Sequence, residues 1–107
     1  MHVNIRRALA SLALVLVGPA LARDVLIDVR SEAEFQSGHI AGAINLPHGT
    51  IGQTIASAQV SRDDHLILYC RSGRRSGLAM DTLKGLGFSK AENYGGLEQA
   101  QKRLQKP

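Results

Sequence analysis

Two apolar runs, Val25-Leu26-Ile27-Asp28-Val29 and His65-Leu66-Ile67-Leu68-Tyr69, constrain this chain more than any other feature. Both are short and rich in branched aliphatic residues. Neither alternates apolar with polar, as a strand with one wet face would. Such runs are strands buried on both faces, the kind found in parallel sheets covered by helices. Helical signals separate them. Ser31 and Glu34 have capping-box spacing, which predicts a short helix over residues 32–37, ended by Gly38. Residues 41–47 read as a loop running into a second short strand, stopped by Pro47. Ile51, Ile55 and Ala58 lie on one helical face, so a helix is expected within residues 49–60. Arg62-Asp63-Asp64 is a polar turn. A further helix is expected from Ser76, with Leu78, Ala79, Leu83 and Leu86 as its apolar positions and Gly87 as its terminator. Residues 89–94 form another strand candidate and Gly95-Gly96 a turn. Leu97, Ala100 and Leu104 mark a last helix, and Lys102, Arg103 and Lys106 suit its C-terminal end. Strands alternating with helices predict an α/β fold, a parallel sheet flanked by helices.

A chain of 107 residues holds one domain of this kind. Residues 1–22 read differently from the rest. Arg6 and Arg7 open a basic stretch, Ala8 to Val17 carry no charge, Gly18-Pro19 break that run, and Ala20-Leu21-Ala22 supply small residues at the positions a signal peptidase reads. This is the order of a secretory signal peptide, cleaved after Ala22. The apolar run is about half of the ~20 residues a membrane span needs. The expected mature domain is therefore residues 23–107, exported and periplasmic, with no membrane attachment after cleavage. Loss of Arg6 and Arg7 brings it closer to neutrality than the +4 of the full sequence, and no basic stripe suggests nucleic-acid binding. Aromatic residues are 4%, so the core must be built from Leu, Ile, Val and Ala.

A single cysteine excludes an internal disulfide framework. His39, His48, His65 and Cys70 show no paired ligand spacing, so neither a metal nor a cofactor is expected. The chemistry concentrates in Cys70-Arg71-Ser72-Gly73-Arg74-Arg75-Ser76. The cysteine follows a buried strand and precedes a helix, and ligands of α/β sheets bind outside the carboxyl ends of strands. The helix N-terminus directs free N–H groups at the loop, three arginines add positive charge, and Gly73 lets the backbone turn. All of these favour a thiolate and attract an anion carrying electrophilic sulfur. A merely structural cysteine would not call for such a neighbourhood.

The segment Cys70-x-x-Gly73-x-Arg75 resembles the active-site loop of rhodaneses, the sulfurtransferases. Asp28-Val29-Arg30-Ser31-Glu32-Ala33-Glu34-Phe35 followed by Gly38-His39-Ile40-Ala41-Gly42-Ala43-Ile44-Asn45-Leu46-Pro47 resembles the family's N-terminal signature, and Gly95-Gly96-Leu97 its C-terminal one. The likeness implies transfer of sulfur from thiosulfate to cyanide or a thiol through a Cys70 persulfide. It implies a donor site made by Arg71, Ser72, Gly73, Arg74 and Arg75, with Arg75 the best candidate to face inward. It also implies that Asp28, Arg30 and Glu34 form a structural ion-pair cluster and that His39 bonds a loop backbone. Typical rhodanese domains carry another short strand and helix before the Asp-x-Arg strand, so one sheet edge is expected to be open or differently covered here. The competing readings are a persulfide carrier serving a protein acceptor, a non-enzymatic binding module, and a Cys-dependent phosphatase or arsenate reductase. The last of these uses a longer loop, with five residues between Cys and Arg, where this chain has four between Cys70 and Arg75.

Overall fold

A computed structural model describes residues 21–106. The expected leader, residues 1–22, lies almost entirely outside the described residues. The elements in order are β1 (Asp24–Asp28), α1 (Glu32–Gln36), β2 (Ile44–Asn45), α2 (Ile51–Thr54) with a 3₁₀ turn (Ile55–Ala58), β3 (His65–Cys70), α3 (Arg74–Gly85), β4 (Ala91–Gly96) and α4 (Leu97–Gln105). The strands make one parallel sheet in the order β2-β1-β3-β4. Among the described residues no helix is long and apolar enough to cross a membrane.

The apolar runs put their alternate residues on opposite faces of the sheet, and both faces are covered. Leu66, Leu68 and Cys70 of β3 join Ile27, Ile51, Ile55, Ala79, Leu83 and Phe88 in the larger core. Tyr69 joins Ile40 and Ala100 in a smaller one on the other side. The Tyr69 hydroxyl accepts the Ile40 N–H at 3.1 Å and so ties the segment after α1 to the sheet. Burial pushes that phenol up to about 12. Cys70 therefore stands at the carboxyl end of a central strand, facing the core that α3 covers.

The capping box forms as the spacing predicts. Ser31 Oγ accepts the Glu34 N–H, and Glu34 Oε1 accepts the Ser31 N–H at 3.0 Å. Gly87 ends α3 in a left-handed conformation, φ +99°. Its N–H reaches the Lys84 carbonyl and the Phe88 N–H reaches that of Leu83, which satisfies the last turn.

Four expectations need correction. The helix within residues 49–60 is broken, because Gly52 and the β-branched Thr54 and Ile55 hold a regular helix poorly. It becomes α2 plus a 3₁₀ turn, ended by Gln59 at φ 57°. Helix α3 starts at Arg74, two residues before Ser76, because Gly73 supplies its N-cap. Its inner face is Ser76, Ala79 and Leu83, which leaves Leu78 and Leu86 exposed. Gly95-Gly96 are the end of β4 and not a turn. There Leu68 and Cys70 of β3 pair with Asn93 and Gly96, so β4 carries one extra residue. That bulge, with Gly95 at φ +90°, folds the strand end over the Cys70 loop.

Candidate active site

The loop after β3 wraps the sulfur in donors. Gly73, at φ +100°, points its N–H at Cys70 Sγ from 2.9 Å. Ser76 Oγ lies 3.4 Å from Sγ. Cys70 itself is buried. That burial pushes the thiol up. The Ser76 hydroxyl and the amides of Ser76, Gly73 and Ser72 push it down, and together they win, so the thiol sits below its ordinary value. The thiolate is thus favoured mainly by hydrogen bonds, the helix-end amides that the sequence directs at the loop together with the Ser76 hydroxyl.

Arg75 is held by Glu34. Its Nη1 donates to Oε1 at 2.7 Å and its Nη2 to Oε2 at 3.0 Å, a bidentate pair that ties α1 to the first turn of α3. The hydrogen bond that Arg75 donates to Glu34 raises its pKa, and the negative charges of Cys70 and Asp28 add to the effect. Arg71 and Arg74 are exposed and, among the described residues, pair with no carboxylate. Arg71 and Ser72 border an open cleft of about 500 Å³ together with Arg30, Gly96 and Leu97. A second cleft, of about 600 Å³, meets the loop at Ser72 and Gly73 and runs past Asn93 and Tyr94 to Lys102 and Arg103.

Asp28, Arg30 and Glu34 do not form one cluster. Arg30 Nε and Nη2 clamp the buried Asp28 carboxylate at 2.7–3.0 Å, and Nη2 also donates to the Gly38 carbonyl at 2.6 Å. This pair fixes the end of β1 to the turn after α1, while Glu34 reaches across to Arg75. His39 is exposed, stacks on Phe35 at 3.6 Å and donates from Nδ1 to the Phe35 carbonyl at 2.8 Å.

Three contributors escape a sequence reading. Ser76 reads as a helix start, yet its hydroxyl faces the sulfur. Asn93 carries no signal at all, yet it bridges the loop to β4. Gly96 packs so tightly that an added Cβ would collide with the Arg71 carbonyl oxygen, and a Cβ on Gly73 would come within 3.3 Å of Gly95 Cα. Paired glycines ending a strand are the one available hint, since they mark close backbone approach.

With this geometry in place, kinship can be stated. The rhodanese-like domain family matches residues 16–103. The chain belongs to the rhodanese-like family. It is 39% identical to the thiosulfate sulfurtransferase PspE of Escherichia coli, over 87% of this chain and 89% of that protein. It is 34% identical to the human thiosulfate:glutathione sulfurtransferase, over 72% and 77% of the two chains. A solved rhodanese with anions from E. coli superposes with a TM-score of 0.68 at 38% identity, covering 71% of this chain and 89% of the other. The four-stranded parallel sheet is thus a rhodanese sheet.

The rhodanese loop is tied to α1 by a charge pair, which gives a pH test. The Arg75 guanidinium, with the Ser31 amide second, holds the Glu34 carboxyl well below the usual carboxylate range. A depressed carboxylate stabilises the fold above its unfolded value of about 4.3 and loses that contribution as pH falls toward its folded value. Glu34→Gln is expected to cost about 1 kcal/mol at pH 7. The wild-type and variant unfolding free energies, measured by urea titration, should converge as the pH falls below about 4.

Proposed function

We propose that this rhodanese is a thiosulfate sulfurtransferase working by double displacement through Cys70. The observation that carries the proposal is the cup of N–H and O–H donors on a buried sulfur. Such a cup stabilises a thiolate and, after transfer, an anionic persulfide. Arg71 and Arg74, unpaired at the mouth of the loop, attract the thiosulfate dianion. The Cys70 thiolate attacks the outer sulfur of thiosulfate. The S–S bond of the donor breaks, and sulfite leaves with the electron pair. Cyanide, or the thiolate of a small thiol such as glutathione, then attacks the outer sulfur of the persulfide. The Cys70 S–S bond breaks, and its electron pair restores the thiolate. Arg75 acts by clamping the first turn of α3 through Glu34. That engagement also weighs against a phosphoryl-transfer loop, which needs an arginine turned toward the anion. Export belongs to the same reading: residues 1–22 direct secretion and are removed after Ala22, which the intact mass of periplasmic protein would verify.

The test is steady-state kinetics with thiosulfate and cyanide varied together. Double displacement predicts parallel double-reciprocal lines and thiocyanate as product. Intersecting lines would require both substrates on the enzyme at once and would contradict the mechanism.

A further inference from the structure

Asn93 is hydrogen-bonded to two of the residues that hold the sulfur, Gly73 and Ser76. Its Nδ2 donates to the Gly73 carbonyl at 2.9 Å. Its Oδ1 accepts the Ser76 hydroxyl at 2.6 Å and the Gly95 N–H at 2.8 Å. Gly73 and Ser76 supply the amide and the hydroxyl that lie 2.9 and 3.4 Å from Cys70 Sγ. The bulge in β4 brings the side chain to this place, and the Gly95 N–H bond anchors it there. We infer that Asn93 is a positioning residue that aims the Gly73 amide and the Ser76 hydroxyl at Cys70 Sγ.

The chemistry of the amide explains why asparagine suits the position. The side-chain amide donates to the Gly73 carbonyl and accepts from the Gly95 N–H, and so holds both at a fixed separation. The Ser76 hydroxyl has a single proton and three acceptors in reach, Asn93 Oδ1 at 2.6 Å, the Gly73 carbonyl at 3.2 Å and Cys70 Sγ at 3.4 Å. Oδ1 keeps the Gly95 N–H when the hydroxyl turns away. The hydroxyl is therefore free to rotate toward Sγ as negative charge develops there, with no buried acceptor left unpaired. An aspartate would hold the hydroxyl more strongly, set a carboxylate oxygen against the Gly73 carbonyl in place of the Nδ2 donor, and put a negative charge one hydroxyl away from the sulfur.

The catalytic consequence rests on the sulfurtransferase reading, but the test does not. It is the pH dependence of iodoacetamide alkylation of Cys70 in the full chain. The other charged groups around the loop are Arg71, Arg74 and Arg75, with Glu34 on α1, Asp28 and Arg30 at the end of β1, and Glu98, Lys102 and Arg103 on α4, and the variants leave them unchanged. Asn93→Asp is expected to raise the alkylation midpoint by about one unit, a tenfold loss of thiolate below it, with the high-pH plateau rate unchanged. Ser76→Ala is expected to raise it in the same direction, and it carries the test should Asn93→Asp fail to fold. A merely structural asparagine would act otherwise: its loss would loosen the loop, expose the sulfur and raise the plateau rate. An unmoved midpoint in a folded Asn93→Asp or in Ser76→Ala overturns the inference, as does a shift accompanied by a faster plateau. Absence of sulfur loading from thiosulfate, with the alkylation shifts as expected, would instead overturn the proposed reaction and leave Asn93 in its role.

Discussion

Asp28→Ala is expected to lower the unfolding free energy by roughly 3–5 kcal/mol. The reason lies in what the substitution leaves behind. The Asp28 side chain is fully buried and that of Arg30 is 9% exposed, so neither charge can fall back on water. The carboxylate accepts the Arg30 N–H at 2.8 Å as well as the guanidinium. It also raises Arg30 above its ordinary value through the side-chain hydrogen bond. Removing it strands a guanidinium in the interior and frees a backbone donor. A domain of this size has only about 5–10 kcal/mol in all, so a large unfolded fraction should appear at 37 °C. The pair itself need not be stabilising relative to apolar residues of similar shape. The double variant Asp28→Leu with Arg30→Met should therefore recover much of the loss. Urea unfolding of Asp28→Ala and of the double variant checks both statements. A loss under about 1 kcal/mol for Asp28→Ala would mean that water reaches the pair.

Cys70→Ser is expected to reduce thiocyanate formation by at least roughly three orders of magnitude while the thermal midpoint barely moves. Serine is close in volume, and its hydroxyl can take up the Gly73 N–H and face Ser76, so the loop keeps its shape. A hydroxyl in this cup does not ionise near neutral pH and cannot carry the sulfane sulfur. The two measurements belong together: a variant that lost activity by unfolding would say nothing about the nucleophile. Rates near wild type in a folded Cys70→Ser protein would remove Cys70 from the chemistry.

The sheet was legible because β1 and β3 are short apolar runs, buried on both faces, whose pattern admits few other readings. The caps at Ser31 and Gly87 were legible because each is a local device with its own spacing. The Cys70 loop was legible because a cysteine, a glycine and three arginines are chemically conspicuous. The rest depends on contacts distant in sequence. No pattern in residues 28–34 says that Arg30 returns to Asp28 while Glu34 crosses to Arg75. That choice is made by where α1 docks. The loop sequence suggested that helix-end amides and arginine charge together set the state of the sulfur, and the Gly73 amide and the Ser76 hydroxyl are the groups in contact with it. Gly95-Gly96 read as a turn because paired glycines often form one. Here Gly96 is small because the Arg71 carbonyl lies against it, and Gly95 because it stands at φ +90° beside the Gln99 side chain. Asn93 was invisible, since its role arises from a bulge that only the pairing of β3 with β4 reveals.

The most direct test of the central claim is the intact mass of the protein after thiosulfate alone, followed by cyanide. The account predicts one added sulfur on wild type, none on Cys70→Ser, and its complete removal by cyanide with stoichiometric thiocyanate. Turnover of thiosulfate and cyanide with no sulfur held on the protein between the two steps would contradict it.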